Sequence, residues 1–155
     1  MIEKIEDITL PEFTVAGISI RTINQNGQSQ KDLKALWVKF MAENVFFQLT
    51  DKVSDHIYCV YAEYETDHTN YYTTVLGCEV DRALQIPGGF TTVTIPAGNY
   101  REYSLSGKCP HNLLDAWQKI WDSSTERKYA SDYDRYTPNW KNFEDSEVKI
   151  FLSVK

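Results

Sequence analysis

Apolar residues recur at helical spacing in two segments of this chain that begin 80 residues apart. Both segments follow the spacing i, i+3, i+4, i+7, i+8 with a tryptophan at i+4, which places these side chains on one face of an α-helix. The two sets are Leu33, Leu36, Trp37, Phe40 and Met41, and Leu113, Ala116, Trp117, Ile120 and Trp121. The pattern predicts two helices with equivalent apolar faces.

The elements around the two helices repeat in the same order. Each helix follows an extended run that begins at a proline and precedes two strand-like runs, the second of which ends in alternating apolar residues. Such alternation is typical of a strand with one buried face. The chain is therefore predicted to contain two copies of a strand-helix-strand-strand unit related by a pseudo-twofold axis. A ligand could bind in the seam between the copies.

In the first copy, residues 13–22 are rich in β-branched side chains and predict a strand. Ser29 with Asp32 predicts a capping arrangement for the first helix, which is expected to end near Asn44. Two strands follow, joined by the polar turn 66–70.

The first of these two strands is predicted over 57–65 and the second over 71–80. Alternation along the first places Tyr61 on one face and Tyr58 and Tyr64 on the other. The sequence alone leaves open which of these faces meets the helices.

The connector 81–90, with Pro87 and two glycines, predicts a boundary between half-copies at about 1–82 and 90–155. A half of this size would leave its sheet face uncovered, so we expect one domain over 1–155.

Three prolines mark the predicted ends of strands and the start of the helix in the second copy. Pro96 separates two extended runs, Pro110 is expected in the first turn of the second helix with Cys109 near its cap, and Pro138 ends a short strand and leaves Trp140 in a loop. The last strand is predicted to carry one apolar face, made of Val148, Ile150, Leu152 and Val154.

The composition of the chain argues against several kinds of functional site. The three cysteines include no CxxC pair, which favours reduced thiols in a cytoplasmic protein, and the three histidines do not cluster, so we expect no metal and no cofactor. No run approaches the roughly 18 apolar residues of a membrane span. The net charge of −6 argues against direct nucleic-acid binding, and the Arg127-Lys128 pair is interpreted as a solvated helix end.

Several segments together resemble the gyrase-inhibitor-like domain, the effector-binding module of AraC- and MerR-type multidrug regulators, which also occurs as free-standing proteins. They are VAGISIRT, YCVYAEYE with YYTTVLGCEV, IPAGNYREYSLSG, DYDRYTPN and SEVKIFLSVK. The resemblance implies an α+β fold, with one antiparallel sheet and two helices on one side. It also implies an aromatic pocket between the halves that binds amphipathic, cationic, drug-like molecules.

Many relatives carry a phenylalanine-glutamate-any-tyrosine motif after the second helix, where this chain has Tyr133-Asp134-Arg135-Tyr136. The resemblance therefore assigns the counter-charge to Asp134 and an aromatic wall to Tyr136. Aspartate is one methylene shorter than glutamate, so Glu147 is an alternative acidic residue. A solvated edge-strand position for Asp134 is the structural alternative.

Aromatic residues make up 14% of the chain, enough for pocket walls as well as a core. Aromatic faces attract cations, and tyrosine offers an apolar ring with a polar tip. Tyr61 and Tyr72 match the aromatic positions of the family, and Trp140 is either a lid or a surface anchor. Trp37 and Trp117 are either core residues or further pocket walls.

Two other classes of function remain open. Some members of the family hydrolyse strained, electrophilic small molecules, and Asp134 with Glu147 or Glu63 is the pair of carboxylates that general acid-base chemistry would need. However, the sequence has no G-x-S-x-G, P-loop, G-x-G-x-x-G or H-E-x-x-H motif. The other class is a protein-binding role, with a topoisomerase or a separate DNA-binding regulator as the partner.

Overall fold

The computed structural model describes residues 1–81, 86, 88–123 and 125–155. Within them, eight strands form one antiparallel sheet in the order β1-β6-β8-β7-β3-β4-β2-β5. The strands are β1 (Ile2–Leu10), β2 (Phe13–Ile23), β3 (Ile57–Ala62), β4 (Tyr71–Val80), β5 (Thr91–Ile95), β6 (Gly98–Leu105), β7 (Ser131–Thr137) and β8 (Glu147–Ser153). The helices are α1 (Gln28–Ala42), the short α2 (Val45–Gln48) and α3 (His111–Trp121). The predicted α+β class is confirmed.

The predicted duplication is visible in the topology. The units β2-α1-β3-β4 and β6-α3-β7-β8 follow each other along the chain, and their strands occupy mirrored positions in the sheet. The units meet where β3 pairs with β7 in antiparallel register, with Cys59 opposite Asp134 and Tyr61 opposite Asp132. The middle of the sheet is therefore the junction between the two copies.

Each unit pairs with an edge strand that directly precedes the other unit in the sequence. β1 pairs with β6 and β5 pairs with β2, although only residues 11–12 join β1 to β2 and only residues 96–97 join β5 to β6. In a flat sheet β1 and β2 would lie about 29 Å apart. A link of this length spans at most about 11 Å, so the sheet must curl until its two edges approach each other.

The curled sheet has a buried layer on each face. One layer lies between the helices and the sheet face that they cover. It includes Leu36 and Phe40 of α1, Trp117 of α3, and Ile150 of β8. The other layer lies on the opposite face and contains Val15, Tyr58, Val60, Ala62, Val75, Ile95, Tyr100, Tyr133 and Phe151. The predicted apolar face of the last strand belongs to the helix-side layer.

The helix starts differ from the prediction. α1 begins at Gln28 after Gly27, whose φ is 72°, and no side chain caps it. Asp32 instead accepts hydrogen bonds from Thr22 Oγ1 at 2.8 Å and Gln28 Nε2 at 2.9 Å, so the predicted Ser29–Asp32 cap is wrong. The carboxylate finds its donors on β2 and one turn back along its own helix.

The other boundaries are close to those predicted. β2 covers the predicted 13–22, and β7 ends immediately before Pro138. Pro110 lies one position before the first residue of α3. Of the connector 81–90, residues 82–85 and Pro87 lie outside the described residues.

Candidate ligand-binding site

The residues that carry the candidate chemistry lie where β3 and β7 meet beneath the helices. We call this strip the seam and define it by Cys59, Tyr61, Asp132, Asp134 and Tyr136, which face the helix side. Tyr61 contacts the ring of Trp117 on α3, with centroids 5.4 Å apart, and Tyr136 contacts the ring of Trp37 on α1, with centroids 5.0 Å apart. Each helix therefore packs on the strand that belongs to the other copy.

Asp134 is the central carboxylate of the seam, and its residue surface is only 2% exposed. It accepts hydrogen bonds from the Tyr61 hydroxyl at 2.5 Å and from Trp117 Nε1 at 2.9 Å. Both donors are neutral, and Asp134 forms no ion pair with any cation in the described part of the chain. Asp134 is thus buried in the middle of the sheet and is not a solvated edge-strand residue.

This environment shifts the pKa of Asp134 upward. Burial disfavours the charged form and raises the pKa from 3.8 to about 7, although the hydrogen bonds from Tyr61 and Trp117 act in the opposite direction. The neighbouring charge of Asp132 adds a smaller upward contribution. The carboxyl group of Asp134 therefore changes its charge near neutral pH.

Aromatic rings enclose this carboxylate. The ring of Tyr61 meets that of Tyr72 with centroids 6.0 Å apart, and the Tyr72 hydroxyl donates to Asn24 Oδ1 at 2.6 Å. Burial raises the pKa of Tyr72 to about 12, so this hydroxyl stays protonated. The seam therefore offers ring faces and hydroxyl groups around one ionisable acid.

A chain of ring contacts leads from Tyr136 to the surface. Trp37 meets Phe143 with centroids 5.5 Å apart, and Phe143 meets Trp140 at 6.1 Å. Trp140, in the loop after β7, is 49% exposed and also contacts Phe46. The predicted loop tryptophan therefore lies at the outer end of the aromatic seam.

The second carboxylate of the seam, Asp132, has a different environment. It is fully buried, receives Arg127 Nη2 at 2.8 Å and the Tyr64 hydroxyl at 2.5 Å, and also accepts from the backbone N–H and hydroxyl of Ser153. Arg127 is buried too, so the interpretation of Arg127 as a solvated residue is wrong. The ion pair with Asp132 explains the burial of Arg127, because an Arg paired with a buried carboxylate can be buried with it.

The predicted orientation of Tyr64 is also wrong. β3 ends at Ala62, and Glu63 adopts a left-handed φ of 51°, which interrupts the alternation of the strand. Tyr64 consequently points to the helix side, where its ring lies 5.8 Å from that of Tyr72 and its hydroxyl reaches Asp132.

The structure brings together most of the predicted site residues. Asp134, Tyr61, Tyr72, Tyr136, Trp37 and Trp117 form one contiguous group, with Trp140 at its outer end. Glu147 is exposed at the start of β8, on the sheet face opposite that of Asp134, and lies across from Thr137. The alternative acidic residue is therefore remote from the seam.

Sequence reasoning missed Asp132, Arg127 and Tyr64. A signal for Asp132 was available, because it lies two residues from Asp134 on one strand and must share its face. Nothing in the sequence spacing indicated that Arg127, five residues earlier than Asp132, would fold back onto it.

A separate cavity of about 590 Å³ lies at the β1–β6 edge of the sheet. Its lining is mainly polar and includes Asp7, Asn99, Arg101, Glu126 and Lys155. None of the seam residues contributes to it. Among the described residues there is no group of His, Cys, Asp and Glu side chains suited to a metal, and no helix long and apolar enough to span a membrane.

The fold and its enclosed aromatic seam define an effector-binding domain of the gyrase-inhibitor-like type, which confirms the resemblance noted in the sequence. Residues 7–151 match the family model of the integron-associated effector-binding protein Cass2. The chain belongs to this family.

Individual proteins resemble this chain in sequence or in fold. YobU of Bacillus subtilis (strain 168), which carries the name of a transcriptional regulator, is 26% identical over 145 residues, 90% of this chain and 91% of YobU. The integron cassette protein VCH_CASS2 from the mobile metagenome of Vibrio cholerae has a similar fold, with a TM-score of 0.79, 24% identity, and coverage of 99% of this chain and 97% of that one. The structure of SAV2435 bound to tetraphenylphosphonium also gives a TM-score of 0.79, at 16% identity and with coverage of 99% and 94%.

Proposed function

We propose that the protein binds amphipathic organic cations with aromatic groups in the seam, and that Asp134 supplies the counter-charge. The observation that carries this proposal is the pairing of Asp134, which is buried, with two neutral donors and with no cation in the described part of the protein. We therefore expect a bound ligand to supply the positive charge that neutralises the Asp134 carboxylate.

The energetics favour a cation over a neutral ligand. A buried carboxylate without a counter-charge either takes up a proton or bears a large desolvation cost. A ligand cation beside Asp134 would stabilise the ionised form, and the faces of Tyr61, Tyr136 and Trp117 would attract the same charge. The rings also supply the apolar surface that a lipophilic ligand buries.

Entry would occur at the outer end of the seam. In the structure the rings of the seam pack against one another, so a ligand must displace some of them. Trp140 and Phe143 are the outermost, and Trp140 is already half exposed. We propose that these two rings move first and then cover the ligand.

A regulatory role follows as the second part of the proposal. The family consists of effector-binding proteins, and YobU carries the name of a transcriptional regulator. Ligand binding in this chain would be passed to a protein partner, for which a DNA-binding regulator is our first choice and a topoisomerase the alternative. We place the protein in the cytoplasm, in agreement with three free, buried cysteines.

The substitution Asp134→Asn tests the counter-charge. We expect it to weaken the binding of methyltriphenylphosphonium about tenfold to a hundredfold, because it removes an interaction with a charged group worth about 1.5–3 kcal/mol. The neutral carbon analogue triphenylethane should lose little affinity. Tryptophan fluorescence titration at constant pH measures both ligands.

Asp7→Asn is the matched control, since Asp7 pairs with Arg101 at the β1–β6 edge, away from the seam, and its replacement should leave both affinities unchanged. If the Asp134→Asn protein lost equal affinity for the cation and for the neutral analogue, Asp134 would not be the counter-charge. Each ligand is recovered after overnight incubation, and chemical conversion would favour a hydrolase instead.

A further inference from the structure

The guanidinium of Arg127 has unused hydrogen-bonding capacity. Its Nη2 donates to Asp132 at 2.8 Å, whereas Nε and Nη1 are buried and have no hydrogen-bond partner among the described residues. A guanidinium normally uses its donors in a planar fork, and a buried donor without an acceptor is costly. Two of the three nitrogen atoms of the guanidinium therefore lack an acceptor among the described residues.

Arg127 lies directly beside the proposed cation site. Its guanidinium carbon is 5.7 Å from the centroid of Trp117, the same indole that donates to Asp134, and 4.3 Å from the centroid of Tyr129. Asp132, which holds the guanidinium, and Asp134 are two residues apart on one strand, a spacing of about 6.8 Å. One elongated ligand can span both positions.

We propose that Arg127 forms a second subsite that binds a neutral hydrogen-bond acceptor, such as a carbonyl oxygen, on a ligand whose cationic group lies at Asp134. This inference rests on the proposed function. It adds a requirement on the ligand, namely a neutral acceptor that reaches Arg127 while the positive charge lies at Asp134.

The charges of the seam favour a neutral acceptor over a carboxylate. Arg127 is already neutralised by Asp132, and Asp134 lies on the same face of the strand. With the ligand cation at Asp134 and Arg127 at Asp132, both acidic residues are neutralised, and a ligand carboxylate would add an unpaired negative charge. A carbonyl oxygen can accept from one of the free N–H groups without adding charge.

Tyr129 covers the guanidinium and would have to move. Its ring contacts that of Tyr64 with centroids 5.5 Å apart, and its hydroxyl lies 3.2 Å from Nδ1 of His68. The backbone φ of Tyr129 is 55°, which is uncommon for a residue other than glycine. Displacing this ring would open space beside the guanidinium, where a ligand group could approach it.

Three triphenylphosphonium salts test the proposal by calorimetric titration. They carry a phenylpentyl chain, a benzoylbutyl chain in which one methylene becomes a carbonyl, and a carboxypentyl chain. The expected result is that the benzoylbutyl salt binds about tenfold more tightly than the phenylpentyl salt, as for one hydrogen bond to a charged donor. The carboxypentyl salt should bind no more tightly than the phenylpentyl salt.

The double variant Arg127→Met/Asp132→Asn removes the donors and leaves no unpaired buried charge. The measured quantity is the ratio of the affinities for the benzoylbutyl and phenylpentyl salts, which should fall from about ten in the wild type to about one in this variant. The matched control Arg101→Met/Asp7→Asn removes an ion pair at the β1–β6 edge and should retain the preference. Circular dichroism and thermal melting confirm that both variants are folded.

The outcomes separate this inference from the proposed function. Equal affinity of the phenylpentyl and benzoylbutyl salts, a carbonyl preference that survives in the Arg127 double variant, or a gain with the carboxylate alone would each overturn the acceptor subsite. Failure of all three salts to bind would overturn the cation site itself, and the subsite with it.

Discussion

Replacing Asp132 with alanine should lower the free energy of unfolding by about 3–5 kcal/mol, because it leaves the buried guanidinium of Arg127 without its counter-charge. The substitution also removes the acceptor for the Tyr64 hydroxyl and for the backbone N–H of Ser153. Urea denaturation, followed by tryptophan fluorescence, measures the change.

The matched control is Asp7→Ala, which breaks the exposed ion pair with Arg101. Surface pairs contribute little to stability, so this variant should unfold almost as the wild type does. If the two variants lost similar amounts of stability, the Asp132–Arg127 pair would not be the buried charge pair described above. The double variant Arg127→Met/Asp132→Asn should be more stable than Asp132→Ala, because it removes both charges together.

The second large effect is a dependence of stability on pH that originates at Asp134. In the folded protein its pKa is about 7, above the ordinary value of 3.8, so the folded state retains a proton that the unfolded state loses. Stability therefore falls as the pH rises from about 4 to about 7 and becomes constant above that. A shift of this size corresponds to a loss on the order of 4 kcal/mol.

In the Asp134→Asn variant this position carries no ionisable group. The unfolding free energy of the variant should therefore lack this dependence on pH. The difference in unfolding free energy between wild type and variant, measured from about pH 4 to about pH 8, should move in favour of the variant as the pH rises. In Asp7 the hydrogen bond from Arg101 holds the pKa below its usual range of about 4, so the contribution of Asp7 changes mainly below the range measured and the Asp7→Asn difference should stay nearly constant. A constant difference for Asp134→Asn would mean that Asp134 is already ionised in the folded protein at low pH.

The sequence predicted the parts of the structure that depend on local patterns. Helical spacing around Trp37 and Trp117 located both long helices, and period-two alternation placed Val148, Ile150 and Leu152 together on one face of β8. The prolines at 96 and 138 marked strand ends correctly, because proline cannot continue a regular ladder.

The parts that the sequence did not predict depend on contacts between distant segments. β1 was missed because most of its side chains are exposed in an edge strand, so its sequence carries a weak alternation. The orientation of Tyr64 depends on the left-handed backbone at Glu63, which no residue type there requires. The burial of Arg127 depends on its pairing with Asp132 and on the rings of Trp117 and Tyr129.

The duplication itself helps to explain the charge of the seam. Both acidic residues lie on β7, the strand that the second copy contributes, whereas β3 contributes Cys59 and Tyr61 opposite them. The chain neutralises one carboxylate with Arg127 and leaves the other with neutral donors only. In the function that we propose, this asymmetry leaves the seam one site for a foreign cation.

The most direct test is the carboxyl carbon signal of Asp134, followed by NMR in protein labelled at aspartate and titrated with methyltriphenylphosphonium at about pH 6, just below its pKa. The account predicts that saturating ligand moves this signal from the protonated to the ionised position, because the cation stabilises the charged form. Saturable binding that leaves the Asp134 signal unchanged, or that perturbs Asp7 in the edge cavity instead, would contradict it.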